Sequence, residues 1–213
     1  MPPATATNAA ATEAVSPAMS SREAQRLQTR ARLFDAAVAE IGRSGLAATD
    51  VAAIAAAVGV ARGTFYFHFP TKEHVLVELE RAEEAKIVAA LAAKPGKGGD
   101  LLALLTSLVH AVLEAERRLG PVVFRDMLGL HFSPSRPVED QLGDHPLAEF
   151  AIAAIAEAQA AGRASRDADA GELGVIFLTG LFALLATAPG ATQPRAALLD
   201  RYVKTIVSGM EET

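Results

Sequence analysis

Residues 49–73 read TDVAAIAAAVGVARGTFYFHFPTKE and carry the strongest structural signal in the chain. Asp50 is a typical N-cap residue, and apolar residues follow it at helical spacing until Gly59, a residue type that commonly ends helices. This apolar stripe consists of Val51, Ile54, Ala55 and Val58. A second short helix is predicted over residues 62–67, after only two or three intervening residues. The pattern indicates a helix-turn-helix unit, whose second helix can enter the major groove of DNA.

The second of these helices is predicted to have a buried and an exposed face. Phe65 and Phe69 are four residues apart and are expected to pack inward. The outward side chains offer hydroxyl groups, a guanidinium, an imidazole and ring surface, which suit base edges and phosphates. Gly63 permits close backbone approach, and Lys72 adds charge and free N–H groups for a phosphate. The candidate DNA-binding residues are Arg62, Gly63, Thr64, Tyr66, Phe67, His68 and Lys72.

The same stretch closely resembles the signature of the TetR family of transcriptional regulators. The resemblance covers roughly residues 45–76 and extends more loosely into the preceding helix. It implies that the seven candidate residues contact DNA, with Tyr66 and Lys72 holding phosphates. It also implies a homodimer that binds a palindromic operator and releases it when a small molecule binds, most often as a repressor. Ala52 stands where family members often have a base-reading polar residue, so base reading is expected mainly from the second helix.

The composition of the chain limits the other classes of function. The 213 residues are 51% hydrophobic and include no cysteine, which excludes disulfide frameworks, iron–sulfur clusters and thiol nucleophiles. The net charge is −5, but residues 21–72 carry seven Lys/Arg against four acidic residues, so a basic front precedes an acidic remainder. The longest uncharged stretch, residues 173–193, contains Gly, Thr and Pro, and no membrane span is predicted. A cytoplasmic location is expected.

The rest of the chain shows helical spacing without strand-like alternation, which predicts an all-α protein of about nine helices. Residues 1–19 are expected to be a disordered tail, 20–72 a helix-turn-helix DNA-binding domain, and 73–213 a regulatory ligand-binding and dimerisation domain. The first helix should start with a capping box at Ser20 and Glu23. Its predicted buried face is Leu27, Ala31, Phe34, Val38 and Ile41. Thr71 is the predicted N-cap of the fourth helix, and residues 133–144 are predicted to form a mobile loop.

A ligand pocket is expected among soft and aromatic side chains of helices five to seven. An apolar molecule with one or two polar groups would suit it, anchored by a histidine; core packing is the alternative. The candidate residues are His110, Phe124, Met127, His131, Phe132 and Phe150. His110 and Glu114, with His131 and His145, could also suggest a metal site, but their loose spacing favours histidines that line a pocket or are buried in the core. No metal or cofactor is predicted.

A dimer interface is expected on helices eight and nine, because they carry more apolar surface than one core needs. The alternative is that these residues close the core of the monomer. Gly174 and Gly180 would let helices approach closely. The family resemblance implies a two-fold four-helix interface. The candidate interface residues are Phe177, Leu181, Phe182, Leu185, Leu199, Tyr202, Val203 and Ile206, within a wider apolar set that includes Ile176 and Leu198.

Enzymatic chemistry finds little support in the sequence. There is no Gly-x-Ser-x-Gly motif, and the glycines at 96, 98 and 99 lack the spacing and the preceding strand of a P-loop. The sequence therefore predicts a DNA-binding regulator and no enzyme. Two alternatives remain, a helical ligand-binding or scaffold protein without DNA affinity and an all-α enzyme.

Overall fold

A computed structural model describes residues 20–93, 100–137, 145–187 and 193–211. Over these ranges the chain is all-α, as predicted. Its helices are α1 (Ser21–Ser44), α2 (Val51–Val58), α3 (Arg62–His68), α4 (Glu73–Ala92), α5 (Leu101–Leu119), α6 (Pro121–Leu130), α7 (Pro146–Ala160), α8 (Ala170–Thr187) and α9 (Gln193–Met210). The predicted tail (residues 1–19) and most of the predicted mobile loop (residues 138–144) lie outside the described residues.

Most helix ends occur where the sequence places capping residues. The Ser20 hydroxyl accepts from the Glu23 N–H at 3.2 Å, and the carboxylates of Asp50 and Asp100 accept from N–H groups in the first turns of α2 and α5. The predicted N-cap of α4, Thr71, was wrong. The N-cap residue is Lys72, without a side-chain cap, and the Thr71 hydroxyl instead lies 3.0 Å from Nδ1 of His74.

The buried face of α1 also differs from the prediction. Leu27 is 49% exposed and Ala31 is exposed, while the buried stripe consists of Leu33, Ala37 and Ile41. The first two turns of α1 carry only exposed residues, so apolar spacing there does not mark burial. A helix that begins outside the core can carry apolar residues without burying them.

One continuous apolar core extends from α1 to α9. Helix α4 is central, since it packs against α1, α5, α6 and α7, while α7 packs on α8 and α5 on α9. The α1–α3 unit is joined to the rest by α4 and α6. The Leu46 N–H, just after α1, donates to the Asp126 carboxylate of α6 at 2.6 Å. Helix α6 therefore contacts α1 and the segment between α1 and α2, directly before the helix-turn-helix.

The predicted close approach of helices at two glycines is confirmed. A Cβ placed on Gly174 of α8 would lie 2.5 Å from Cγ1 of Ile152 in α7, and one on Gly180 would lie 2.9 Å from Cζ of Tyr202 in α9. The Tyr202 ring stacks on Phe177 at 5.8 Å, and its hydroxyl donates to the Phe177 carbonyl at 2.6 Å. These contacts are made within one chain.

Among the described helices, α8 is long and apolar enough to cross a membrane by length and composition. Its residues Phe177, Leu178 and Leu181 are fully buried in the protein core. Core helices of soluble proteins commonly meet the same compositional criterion.

Candidate functional site

Helices α2 and α3 form the predicted helix-turn-helix. Their axes are bent by 100°, within the range of about 90–120° typical of this motif. Gly59 ends α2 in the left-handed region, at φ 77° and ψ 34°, a conformation that glycine adopts without steric cost. Arg32 of α1 donates to the last carbonyl of α2, that of Val58, at 2.9 Å. The turn between α2 and α3 is therefore fixed by the backbone conformation of Gly59 and by the hydrogen bond from Arg32.

The rotation of α3 is set by its two inward phenylalanines, as predicted. Phe65 is 0% and Phe69 1% exposed, and their ring centroids are 5.5 Å apart. Phe34 of α1 packs on Phe69 at 6.3 Å. With this face buried, the opposite face of α3 must point outward. Tyr66 is accordingly 42% and Phe67 68% exposed.

Arg62 and Tyr66 lie one turn apart on the exposed face and contact each other. The Arg62 guanidinium donates to the Tyr66 hydroxyl at 3.3 Å and lies 5.6 Å from the ring centroid. The hydrogen bond raises the pKa of Arg62, which keeps its positive charge. Thr64 is half-buried beside them, and a Cβ on Gly63 would meet no atom within 4 Å. A cation and hydroxyl groups are thus presented together on an open surface.

His68 and Phe67 lie at the end of α3 beside the first helix. The Arg26 guanidinium of α1 lies 5.3 Å from the Phe67 ring centroid, and the His68 ring meets Phe67 edge-on at 5.0 Å. Partial burial, followed by the charges of Arg26 and Arg30, lowers the pKa of His68. The His68 imidazole is therefore neutral at pH 7. Arg26 and Arg30 of α1 thus each contact an aromatic ring of the helix-turn-helix region, Phe67 and Phe69 respectively.

The Lys72 ammonium has its hydrogen-bond partners outside α3. Its Nζ donates to the carbonyls of Ala47 at 3.0 Å and Thr49 at 3.5 Å. These carbonyls precede α2, so Lys72 joins the start of α4 to the start of the helix-turn-helix. The outer face of α2 presents only methyl groups, from the exposed Ala52, Ala53, Ala56 and Ala57. Methyl groups can contact thymine but cannot hydrogen-bond a base.

The predicted ligand-pocket residues have different surroundings, and two of them, His110 and Phe132, are exposed, which corrects the sequence interpretation at those positions. His110 is exposed because it lies outside the buried stripe of α5, and it lines a surface cleft with residues of α4 such as Lys86. Phe132 is 53% exposed, and Phe150 is half-buried. Phe124 and Met127 pack in the apolar core. Of the six, only His131 enters a buried polar environment.

This environment is a group of five polar residues, the core polar cluster, consisting of Glu80, Glu84, His131, Arg136 and His145. The His131 Nε2 contacts one carboxylate oxygen of Glu80, and Arg136 donates to the other at 3.2 Å. His145, which precedes α7, bonds Glu84 through Nδ1 at 3.1 Å. Glu80, Glu84 and His145 are 2%, 4% and 0% exposed. The sequence interpretation missed both glutamates, although an acidic pair four residues apart among buried Val75, Leu76 and Leu79 was a usable signal.

The predicted dimer residues also require correction. Tyr202 and Ile206 are half-buried, but six of the eight are at most 3% exposed within one chain: Phe177, Leu181, Phe182, Leu185, Leu199 and Val203. Their side chains form the core between α8, α9 and the other helices, so they cannot provide an outer surface. The exposed large apolar residues on these two helices are Val175, Ile176 and Leu198. Helical spacing identified the apolar helices but not which face is turned outward.

Residues 33–79 match the family described as "Bacterial regulatory proteins, tetR family". The chain is 33% identical over 95 residues to the HTH-type transcriptional regulator AcrR of Shigella flexneri, which is 44% of this chain and 43% of that protein. It is 41% identical over 75 residues to the HTH-type transcriptional repressor KstR of Mycolicibacterium smegmatis, covering 33% of this chain and 36% of that one. The matched region thus spans less than half of either relative.

The likeness to solved structures extends over more of the chain. Thermus thermophilus FadR, a TetR-family transcriptional repressor crystallised with lauroyl-CoA, superimposes with a TM-score of 0.72 at 22% sequence identity. The match covers 86% of this chain and 96% of FadR. At this identity the comparison shows that the two proteins share a fold.

Proposed function

We propose that this chain, whose residues 33–79 match the tetR family of bacterial regulatory proteins, is a cytoplasmic, ligand-responsive transcriptional repressor that binds operator DNA. The observation that carries the proposal is the exposed face of α3 on a helix-turn-helix bent by 100°. The match over residues 33–79 includes this whole motif. These two observations favour a transcriptional regulator over an enzyme and over a scaffold protein without DNA affinity.

We assign two roles to the exposed residues of α3. Arg62 and Thr64 are placed to reach base edges, since a guanidinium and a hydroxyl are donors that read the major groove. Tyr66 and Lys72 are assigned to phosphates, with His68 and Phe67 at the end of the same surface. Gly63 allows the backbone of α3 to approach the DNA. These are the side chains that a groove-bound α3 would present.

A second copy of the chain is the proposed partner in DNA binding. The apolar residues Val175, Ile176 and Leu198 are 37–55% exposed on α8 and α9, next to the half-buried Tyr202 and Ile206. Packing these residues against the same residues of a second chain would remove them from water. A two-fold dimer would present two α3 helices to a palindromic operator.

The proposed regulatory domain comprises residues 73–213 and the proposed DNA-binding domain residues 20–72. An effector bound among α4, α6 and α7 could act on α1–α3 through the Asp126 contact with the Leu46 N–H. Such an effector must bind the DNA-free state more tightly, because equal affinity for both states would change nothing. A largely apolar small molecule is proposed; the FadR repressor was crystallised with lauroyl-CoA, of which the acyl chain is apolar.

Fluorescence anisotropy with DNA flanking the gene for this protein tests the proposal. Specific binding should weaken steeply with salt, with a slope of roughly −0.9 per phosphate neutralised. Thr64→Ala and Arg62→Ala should each cost about 1–3 kcal/mol and relax preference at one position in each half-site. Arg163→Ala, which removes the same charge from an exposed residue after α7, should leave the affinity unchanged. Equal losses on all DNA sequences would contradict the base-reading assignment.

A further inference from the structure

The core polar cluster contains a set of atoms that can bind a metal ion. One ligand atom each from Glu80, Glu84 and His145 lies within 4.8 Å of the other two, and all three residues are buried. The glutamates are one helical turn apart on α4, and His145 reaches them from the residue before α7. We propose that Glu80, Glu84 and His145 form a binding site for a divalent transition-metal ion of the zinc type, which Arg136 occupies when no metal is bound.

The donor set determines the class of ion. Two carboxylates and one imidazole are a combination that Zn²⁺ binds, and three protein ligands leave a fourth position for water or an effector. Mg²⁺ prefers oxygen ligands in an octahedral arrangement and usually keeps several waters. A buried site with an imidazole nitrogen therefore favours a zinc-type ion over Mg²⁺.

The hydrogen bonds of His145 already direct one nitrogen towards such an ion. Arg136 Nη2 lies 3.2 Å from His145 Nε2, and a guanidinium can only donate, so Nε2 accepts. The ring is then neutral, with its proton on Nδ1, which donates to Glu84 at 3.1 Å. An ion on Nε2 would lie on the far side of the ring from this contact. Glu84 would therefore exchange its hydrogen bond with Nδ1 for a bond to the ion.

Arg136 supplies positive charge at the proposed position. The same Nη2 atom is 3.2 Å from Glu80 Oε2 and 3.2 Å from His145 Nε2, so it bridges two of the three proposed ligands. Two buried carboxylates require nearby positive charge. A divalent ion would provide this charge and compete with Arg136 for the same two atoms. His131, which contacts the other oxygen of Glu80, would continue to orient that carboxylate.

Metal binding would change the connection between α6 and α7, because Arg136 lies six residues after the last residue of α6. Since α6 contacts the segment directly before the helix-turn-helix through Asp126, zinc would alter operator affinity. This consequence alone rests on the proposed function. The binding of the ion does not depend on it.

Equilibrium dialysis of the metal-free, full-length protein against micromolar Zn²⁺ measures the site directly. One zinc ion per chain is expected, with no Mg²⁺ bound at the same concentration. Glu84→Gln and His145→Gln should lose this binding. His131→Gln, which removes an orienting contact, should weaken it about 10- to 100-fold. The control is His110→Gln, which changes an exposed histidine and should leave the stoichiometry at one.

Arg136→Gln gives the opposite expectation and separates loss of a ligand from loss of the fold. Without the competing guanidinium, the affinity for Zn²⁺ should rise by about tenfold or more, and zinc should raise the melting temperature of this variant more than that of the wild type. Failure of both wild type and Arg136→Gln to bind zinc, or unchanged binding by Glu84→Gln, would overturn the proposal. Anisotropy with and without Zn²⁺ then tests the regulatory consequence. A protein that binds zinc but no operator would contradict only the proposed function.

Discussion

His68 takes its ionisation state from residues on another helix. Burial is the largest cause, and the charges of Arg26 and Arg30 on α1 are smaller causes. Each of them lowers the pKa of the imidazole. Below about pH 6.5, the ordinary value for histidine, the unfolded chain therefore binds more protons at this residue than the folded chain. The stability contributed by neutral His68 is present above that pH and is lost as the pH falls.

The prediction at the residue scale is that His68→Gln reduces the loss of stability in acid. Urea unfolding at pH 7.5 and pH 5.5 should show a smaller decrease in the free energy of unfolding for the variant than for the wild type. His110→Gln provides the matched control, because that histidine is exposed on α5. If both variants decrease as the wild type does, His68 is not among the groups that link stability to pH.

Burial raises the pKa of Tyr202, whereas it lowers the pKa of His68. The pKa of the Tyr202 phenol rises to about 12. The folded state holds the neutral form, so this contribution to stability is present below about pH 10 and is lost as the pH rises towards 12.

Tyr202→Phe removes the hydrogen bond to the Phe177 carbonyl and should cost about 1 kcal/mol at pH 7. Ultraviolet titration of the wild type should show a phenol that ionises well above pH 10, and this step should be absent from Tyr202→Phe.

At the scale of elements, the close packing of α8 on its neighbours depends on glycines that leave no room for a side chain. A Cβ on Gly180 would lie 2.9 Å from Cζ and 3.0 Å from Cε2 of Tyr202. The ring is held by stacking and by its hydrogen bond, so it cannot move away freely. The separation of α8 and α9 is therefore set by this pair.

Gly180→Ala should destabilise the protein by about 1–3 kcal/mol, the usual cost of overpacking. Gly129→Ala is the matched control, since Gly129 lies within α6 and a Cβ there meets no atom within 4 Å. That change should instead stabilise the protein by about 0.4–1 kcal/mol by restricting the unfolded chain. Chemical denaturation of both variants measures the difference. The same sign for both would contradict the close approach of α8 and α9.

The contact between α6 and the residue after α1 is a second feature at this scale. Asp126→Ala would leave the half-buried Leu46 N–H without this acceptor, at a cost of about 1–3 kcal/mol. Hydrogen exchange at the Leu46 amide should become faster. Asp126→Asn retains an acceptor oxygen and should preserve more of the protection. Unchanged exchange in Asp126→Ala would mean that α6 does not hold the segment before the helix-turn-helix through this bond.

At the scale of the whole molecule, charge and apolar surface are distributed unevenly. The basic residues concentrate before α4, whereas residues 73–213 carry thirteen Lys/Arg against twenty acidic residues. This separation would direct the N-terminal end towards DNA and the remainder away from it. The exposed apolar residues of α8 and α9 give the C-terminal part a surface suited to another protein chain.

Ile176→Lys should convert the proposed dimer to a monomer at micromolar concentration, because it places a charge on a side chain that is 55% exposed on α8. Light scattering coupled to size exclusion measures the mass. Phe132→Lys changes an apolar residue of similar exposure, 53%, outside α8 and α9, and should remain dimeric. A wild-type monomer, or a dimeric Ile176→Lys variant, would contradict this interface.

The sequence by itself determined the local structure of this protein. Capping residues such as Asp50, terminating glycines such as Gly59 and the helical spacing of apolar residues depend on neighbours within a few positions. The nine helices within the described residues were predictable for that reason. The inward pair Phe65 and Phe69 was found in the same way, and with it the exposed face of α3.

Only the tertiary structure decided which apolar faces are buried and which distant polar groups meet. Leu27 and Ile41 belong to the same predicted apolar face of α1, yet Leu27 is 49% exposed and Ile41 is in the core, because burial depends on what packs against each part of the helix. Glu80 and Glu84 meet His131, Arg136 and His145 across 51 to 61 positions only because α4, α6 and α7 pack together. Contacts over such separations depend on how whole helices are arranged, which local spacing does not encode.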